Sequence, residues 1–161
     1  MQVLAWLAFM TLVTLYFSDV LDRQRNPNRD VESRLTAEGV REVSLKRNKM
    51  GHYVTTGTIN GSEVTFLLDT GATGVAIPAA VAERLDLPRG RSMLTNTANG
   101  TARSYQTRLN EVAIGDIRLN GVQAAITPGL QMQEILLGMS FLKYIEFTQR
   151  GNTLTLRQYT R

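Results

Sequence analysis

The stretch FLLDTGATGVAIP, residues 66–78, sets one ionisable side chain, Asp69, behind three apolar residues and ahead of a Thr-Gly pair. Aspartate is depleted in strands and seldom buried without partners, so a carboxylate ending an apolar run needs either a turn to cap or a reaction to perform. The chemistry open to it is hydrolysis by carboxylates alone. Two carboxylates close enough to share one proton supply a base that takes a proton from water and an acid that polarises a carbonyl, because like charges at that distance cannot both ionise comfortably. A short hydroxyl after the acid can donate to backbone and lock the loop, and a glycine after that lets a second backbone approach. Asp69, Thr70 and Gly71 stand in that order. The bland alternative is a turn-capping aspartate with no chemistry.

Other chemistries are thin in this chain of 161 residues. There are no cysteines, which excludes disulfides, thiolate zinc sites and cysteine nucleophiles. His52 is the single histidine, so a histidine metal cluster within one subunit is excluded and a Ser-His-Asp triad would have to use it. It reads instead as a strand-start residue. No metal or cofactor is expected. Glu83 and Asp86 lie beside Arg84 on a helical stretch and read as a solvated face, and Asp116 in IGDI reads as a turn residue. The net charge of +4 is spread along the chain, and with no basic stripe a nucleic-acid partner is not expected.

The elements that must position Asp69 are mainly strands. HYVTTGTI and SEVTFLLD flank Asn60-Gly61, a strong two-residue hairpin signal, and the same dipeptide returns at Asn99-Gly100 and Asn120-Gly121. EVAIGDIRL, VQAAIT, YIEFT and TLTLRQ supply further strands, the last two around a turn at residues 150–152. Helical pattern is confined to AAVAERLDL after Pro78 and a short piece of MSFLKY. FLLD and EILLG are apolar on both faces, which predicts two centrally buried strands. Met132, Met139 and Phe141 are expected in the core. The expected fold is a mainly β, small closed or nearly closed barrel over residues 43–161.

Ahead of it, residues 1–17, MQVLAWLAFMTLVTLYF, carry no charge, and as a helix they would reach about 26 Å against a hydrocarbon core of about 30 Å. With no basic region before it and no small-x-small site after it, this segment reads as an uncleaved transmembrane anchor rather than a cleaved signal. Residues 18–42, polar and broken by Pro27, read as a linker with a short helix near 30–38. Arg23, Arg25 and Arg29 after the span favour a cytoplasmic carboxyl-terminal side by the positive-inside rule.

FLLDTGAT followed by VAIP, the hairpin tip TANGT some thirty residues on, and ILLGMSFL some forty beyond that resemble the retropepsin-like aspartic proteases, in particular the bacterial membrane-anchored members. The resemblance spans roughly residues 50–158. It implies that Asp69 is the catalytic carboxylate, that Thr70 hydrogen-bonds across a subunit interface, and that Gly71 lets two active-site loops meet. It implies that the hairpin around Asn99 and Gly100 is a flap over bound peptide, with backbone from Thr97 to Thr101 near substrate. Ile135 to Gly138 would cross behind the catalytic loop, Ala72 and Ile77 could border pockets, and Leu67, Ile77 and Leu136 would serve mainly as core. With one Asp-Thr-Gly and no second acid in ILLGMS, a dyad requires a second subunit, hence a twofold homodimer. The resulting expectation is a single-pass, membrane-anchored homodimeric aspartic endopeptidase acting on peptide or protein substrates. It would sit in a bacterial inner membrane with the protease domain in the periplasm, against the pull of the three arginines. The rival expectation is a silent dimerisation or peptide-binding module of the same fold.

Overall fold

The computed structural model describes residues 2–97 and 100–159. Helix α1 (Gln2–Arg25) is an unbroken run of 24 residues with none buried. It is long and apolar enough to be a candidate membrane span, and large side chains such as Trp6, Phe9, Leu15 and Phe17 lie exposed along it.

Residues expected as a tether hold more structure than composition suggests. The short helix anticipated near 30–38 is not formed. In its place Ser33–Leu35 (β1) pairs antiparallel with Val40–Lys46 (β2), closed by a turn in which Val40 N donates to Thr36 Oγ1. A three-turn helix alone would have been marginal in water, whereas the strand draws its backbone partners from an existing sheet. Between α1 and β1, Asn28 is 5% exposed and staples the two sheets of the molecule together. Its Nδ2 donates to Lys46 O at 2.9 Å and to Val54 O at 2.7 Å, and its Oδ1 accepts from Lys46 N at 2.6 Å. Replacing Asn28 by Ala would remove the partner of three backbone groups, one buried and two part-buried, and the expected cost is about 2–3 kcal/mol, measured by denaturant unfolding of the full chain.

The barrel begins with Tyr53–Ile59 (β3) and Ser62–Leu68 (β4), joined by the expected turn, in which Asn60 and Gly61 take φ of 51° and 81°. Val75–Pro78 (β5) leads into Ala79–Arg84 (α2), which stops at Asp86 in the left-handed region. Ser92–Thr97 (β6), Gly100–Ile114 (β7) and Ile117–Thr127 (β8) form an antiparallel meander. Ile135–Leu137 (β9) and Met139–Leu142 (α3) follow, and Glu146–Arg150 (β10) with Thr153–Tyr159 (β11) close the chain as a hairpin.

Two sheets result. The larger runs β3-β4-β9-β5-β8-β7-β6, and a further pairing of β3 with β7 closes it, so the strands form a barrel with β6 as a flange. The smaller runs β1-β2-β11-β10. The turn expected at Asn120-Gly121 lies instead at Gly115-Asp116, and β8 passes through Asn120-Gly121 without interruption. The reason is burial: pairing Ile114 with Ile117 places both fully inside, and hydrophobic register outweighs a local turn preference. Phe66, Ile77, Leu109, Ile126, Ile135, Leu137 and Phe141 complete the fully buried core. β4 lies between β3 and β9, and β9 between β4 and β5, as strands apolar on both faces require. Met132 and Met139 are half-buried, and Phe141 is fully buried.

Candidate active site

Asp69 follows the last residue of β4, where the strand leaves the sheet. Its neighbour in space is β9, which runs parallel to β4 with Leu68 opposite Leu137. Asp69 N donates to Leu137 O at 3.2 Å, so the carboxylate-bearing residue is pinned to β9, an interior strand of the larger sheet. The loop then folds back on itself. Gly71 N donates to Asp69 Oδ1 at 2.8 Å, and Ala72 N to Asp69 O at 3.2 Å. A Cβ at position 71 would stand 3.1 Å from Asp69 Oδ1, tighter than ordinary carbon contacts and against the acceptor atom itself. A side chain at position 71 would therefore crowd the carboxylate that Gly71 N holds.

The far side of the loop is fastened to α3. Met139 N donates to Ala72 O at 2.8 Å and Ser140 N to Thr73 O at 3.0 Å. Ser140 Oγ accepts from Val75 N and donates to Gln123 O, both at 3.1 Å, so one hydroxyl ties the loop's exit to β8. At the crossing, Gly138 meets backbone directly: a Cβ there would collide with the carbonyl oxygens of Ala72 and Gly74. The loop is thus held by β9 from behind and by α3 from below, while Asp69 is half-buried and Thr70 and Gly71 are exposed. Ala72 is half-buried, Ile77 is fully buried within the core, and Leu67 and Leu136 are half-buried.

Beside Asp69 and Thr70 lies a hollow of about 330 Å³, walled mainly by apolar side chains, Leu68, Leu142, Phe147, Leu154 and Leu156, with Tyr53 and Gln149 among them. Tyr53 is buried, and its Oη has no hydrogen-bond partner among the described residues. Sequence reading missed this wall. Tyr53 and Phe147 sit on different sheets, and no local pattern links them.

The β6–β7 hairpin projects Met93 and Leu94 into solvent, with Thr97 opposite Gly100 at its end. Gly100 is exposed and a Cβ there would meet nothing within 4 Å. Asn99 lies outside the described residues. His52 donates its backbone N to Asn48 Oδ1 at 2.9 Å and precedes β3. Glu83 pairs with Arg89 at 2.8 Å on the surface, and Asp116 occupies a turn. None of these three lines the hollow beside Asp69.

A family model described as "gag-polyprotein putative aspartyl protease" matches residues 55–144, which brackets the Asp69 loop, the hairpin and β9. An uncharacterised protein from the cobV 5′ region of Sinorhizobium is 36% identical over 125 residues, covering 75% of this chain and 54% of that protein. An uncharacterised protein of Rickettsia prowazekii (strain Madrid E) is 29% identical over 123 residues, covering 74% of this chain and 52% of that protein. The chain therefore spans about half the length of these curated relatives. Among solved structures, a retropepsin-like aspartic protease from Rickettsia conorii superposes with a TM-score of 0.62 at 25% identity, covering 80% of this chain and 96% of that one.

Proposed function

Because the chain belongs to the gag-polyprotein aspartyl protease family and has the retropepsin-like fold, we propose that it is a homodimeric aspartic endopeptidase in which Asp69 of each subunit supplies half of a catalytic dyad. The observation that carries this reading is the placement of Asp69: it follows a central strand, is pinned to Leu137 O, and opens onto an exposed Thr-Gly loop beside a largely apolar hollow. One Asp-Thr-Gly in the sequence leaves the second carboxylate to a second copy. Twofold symmetry brings two identical loops together on the axis, with Thr70 on each side available to bond across it. The hollow lined by Tyr53 and Phe147 would be covered in the same step.

In the proposed reaction one carboxylate is ionised and the other protonated. The ionised one takes a proton from water, whose oxygen bonds to the scissile carbonyl carbon while the protonated one donates to the carbonyl oxygen. Collapse of the tetrahedral intermediate breaks the C–N bond, and a proton passes to the departing amine. The two carboxylates relay the protons: the one taken from water goes to the amine, the other carboxylate regains a hydroxyl proton as the intermediate collapses, and no covalent enzyme intermediate forms. Ala72 and the backbone around Gly100 are proposed to border the bound peptide, with the β6–β7 hairpin covering it.

The pH profile follows from the shared proton. At low pH both carboxylates are protonated and no base remains. At high pH both are ionised and no acid remains. The rate of peptide cleavage should therefore be bell-shaped in pH, with the alkaline loss reversible and unaccompanied by unfolding. Initial rates of full-length protein on a proteome-derived peptide library, followed by mass spectrometry with circular dichroism as the control for folding, test both the activity and its profile. A rate that stays flat into the alkaline range would remove the dyad.

We further propose that α1 anchors the protein in a bacterial inner membrane, with residues 18–42 leading to the protease domain on the periplasmic side. In the structure Arg23 and Arg29 are paired with Asp19 and Arg25 with Glu134, so the three arginines are engaged within the chain. A topology reporter fused after Arg161 decides the side.

A further inference from the structure

The end of α1 is built into the barrel. Arg25, the last residue of the helix, holds Glu134 with Nε at 2.6 Å from Oε1 and Nη2 at 3.1 Å from Oε2, and the Glu134 side chain is only 8% exposed. Arg25 O accepts from Asn48 Nδ2 at 2.9 Å. Asn26 Nδ2 donates to Thr56 Oγ1 at 3.1 Å, and its Oδ1 accepts from Asn28 N at 3.0 Å. Asn28 O accepts from Thr56 N at 3.0 Å, and Asn28 bridges to Thr55 in the parallel sense. Asn26, Asn28 and Asn48 are all buried. Between the uncharged residues 1–17 and this clamp, α1 continues without a break for eight residues, about 12 Å. That stalk is laced by Asp19 to Arg23 at 2.8 Å and to Arg29 at 3.0 Å. Helix, stalk and barrel therefore share one continuous hydrogen-bonded frame.

The frame leads to Asp69. Glu134 immediately precedes β9, and β9 holds Asp69 N through Leu137 O. Two chains anchored in one bilayer with the same orientation can be related only by a twofold axis along the membrane normal, so both members of a dyad on that axis stand at a single height. We infer that this protein is a ruler: its substrates are other membrane-anchored chains, cut at a set distance from the bilayer surface where the rigid stalk holds the dyad. The inference rests on the reading of Asp69 as catalytic and of α1 as an anchor. A flexible tether, expected from composition, would have let the site sweep a wide range of heights. The clamp removes that freedom. Binding of soluble peptide needs no such frame, whereas a substrate held in the same membrane gains effective concentration only where its scissile bond and the dyad coincide in height.

The test co-reconstitutes the full chain in lipid vesicles with a single-span substrate. A peptide sequence that the enzyme cuts in detergent is placed beyond proline-rich spacers of stepwise length, each residue adding about 3.1 Å. Native protein should show a peak of cleavage at one spacer length. Inserting seven helix-forming residues between Asp22 and Arg23, two turns or about 10 Å, keeps the Arg25, Asn26 and Asn28 contacts of the clamp, gives up the pairs of Asp19 with Arg23 and Arg29, and should move the peak outward by about three spacer residues. Inserting a flexible Gly-Ser segment at the same point should flatten the profile while leaving cleavage of soluble peptide unchanged. Cleavage of soluble peptide with a flat native profile, or with a peak that the helical insert does not move, overturns the ruler alone. Failure to cut any peptide overturns the protease reading and the ruler with it.

Discussion

Replacing Asp69 by Asn should abolish peptide cleavage, by about 10⁴-fold or more, while the thermal transition of the protein stays close to native. The amide keeps the shape and can still accept from Gly71 N, which the native Oδ1 does at 2.8 Å, so the loop has no reason to collapse. What disappears is the proton exchange. The consequence for assembly is sharper than the loss itself. If the active unit is a dimer that shares one proton between two Asp69 side chains, a dimer with one Asn has no complete dyad. Co-reconstituting native and D69N chains in equal amounts should then leave about one quarter of native activity, the statistical share of all-native pairs, rather than one half. Activity proportional to the native fraction would mean that each chain works alone. A biological effect that survives D69N unchanged would assign the fold to binding rather than turnover.

Replacing Gly138 by Ala is expected to destabilise the protein by about 3 kcal/mol, more than most alanine substitutions at glycine, and to depress activity at temperatures well below the new transition. The added methyl has no flexible side chain to push aside. It faces the backbone carbonyls of Ala72 and Gly74, which belong to the loop that carries Asp69. That loop cannot retreat without giving up Met139 N to Ala72 O, Ser140 N to Thr73 O, or Asp69 N to Leu137 O. Strain at position 138 is therefore transmitted to the carboxylate. For a chain of this size 3 kcal/mol corresponds to roughly 6–12 °C in the melting temperature, read by calorimetry or circular dichroism. Gly129→Ala is the control, because a Cβ there meets nothing within 4 Å and should shift stability by less than about 0.5 kcal/mol. Equal losses at the two glycines would show that crowding at the β9–loop crossing is not what demands glycine.

Both expectations concern atoms brought together by the fold, and they separate what is local from what is not. The hairpin at Asn60-Gly61 was legible because both turn residues carry their own backbone preference. β4 and β9 were legible as central strands because their side chains are apolar on both faces, and Asp69 stood out as a carboxylate set directly behind one of those apolar runs. Those are properties of a residue and its immediate neighbours.

Where two sequence signals competed, the residues alone could not rank them. Asn120-Gly121 has turn chemistry as good as Asn60-Gly61, yet β8 runs through it because Ile114 and Ile117 must both reach the core, and that requirement comes from strands far along the chain. Residues 25–29, RNPNR, have the composition of a linker. Their order comes from Glu134, Asn48, Thr56 and Val54, none of which is near in sequence, so a polar segment became a clamp only when the barrel offered it partners. The hollow beside Asp69, with Tyr53 and Phe147 brought to it from different sheets, belongs to the same class. Composition, periodicity and one tripeptide thus determined the class of fold and the residue most worth suspecting, because they act over a few bonds. The packing and surroundings of that residue were decided by tertiary contacts, because burial and hydrogen-bond completion depend on which distant segments arrive.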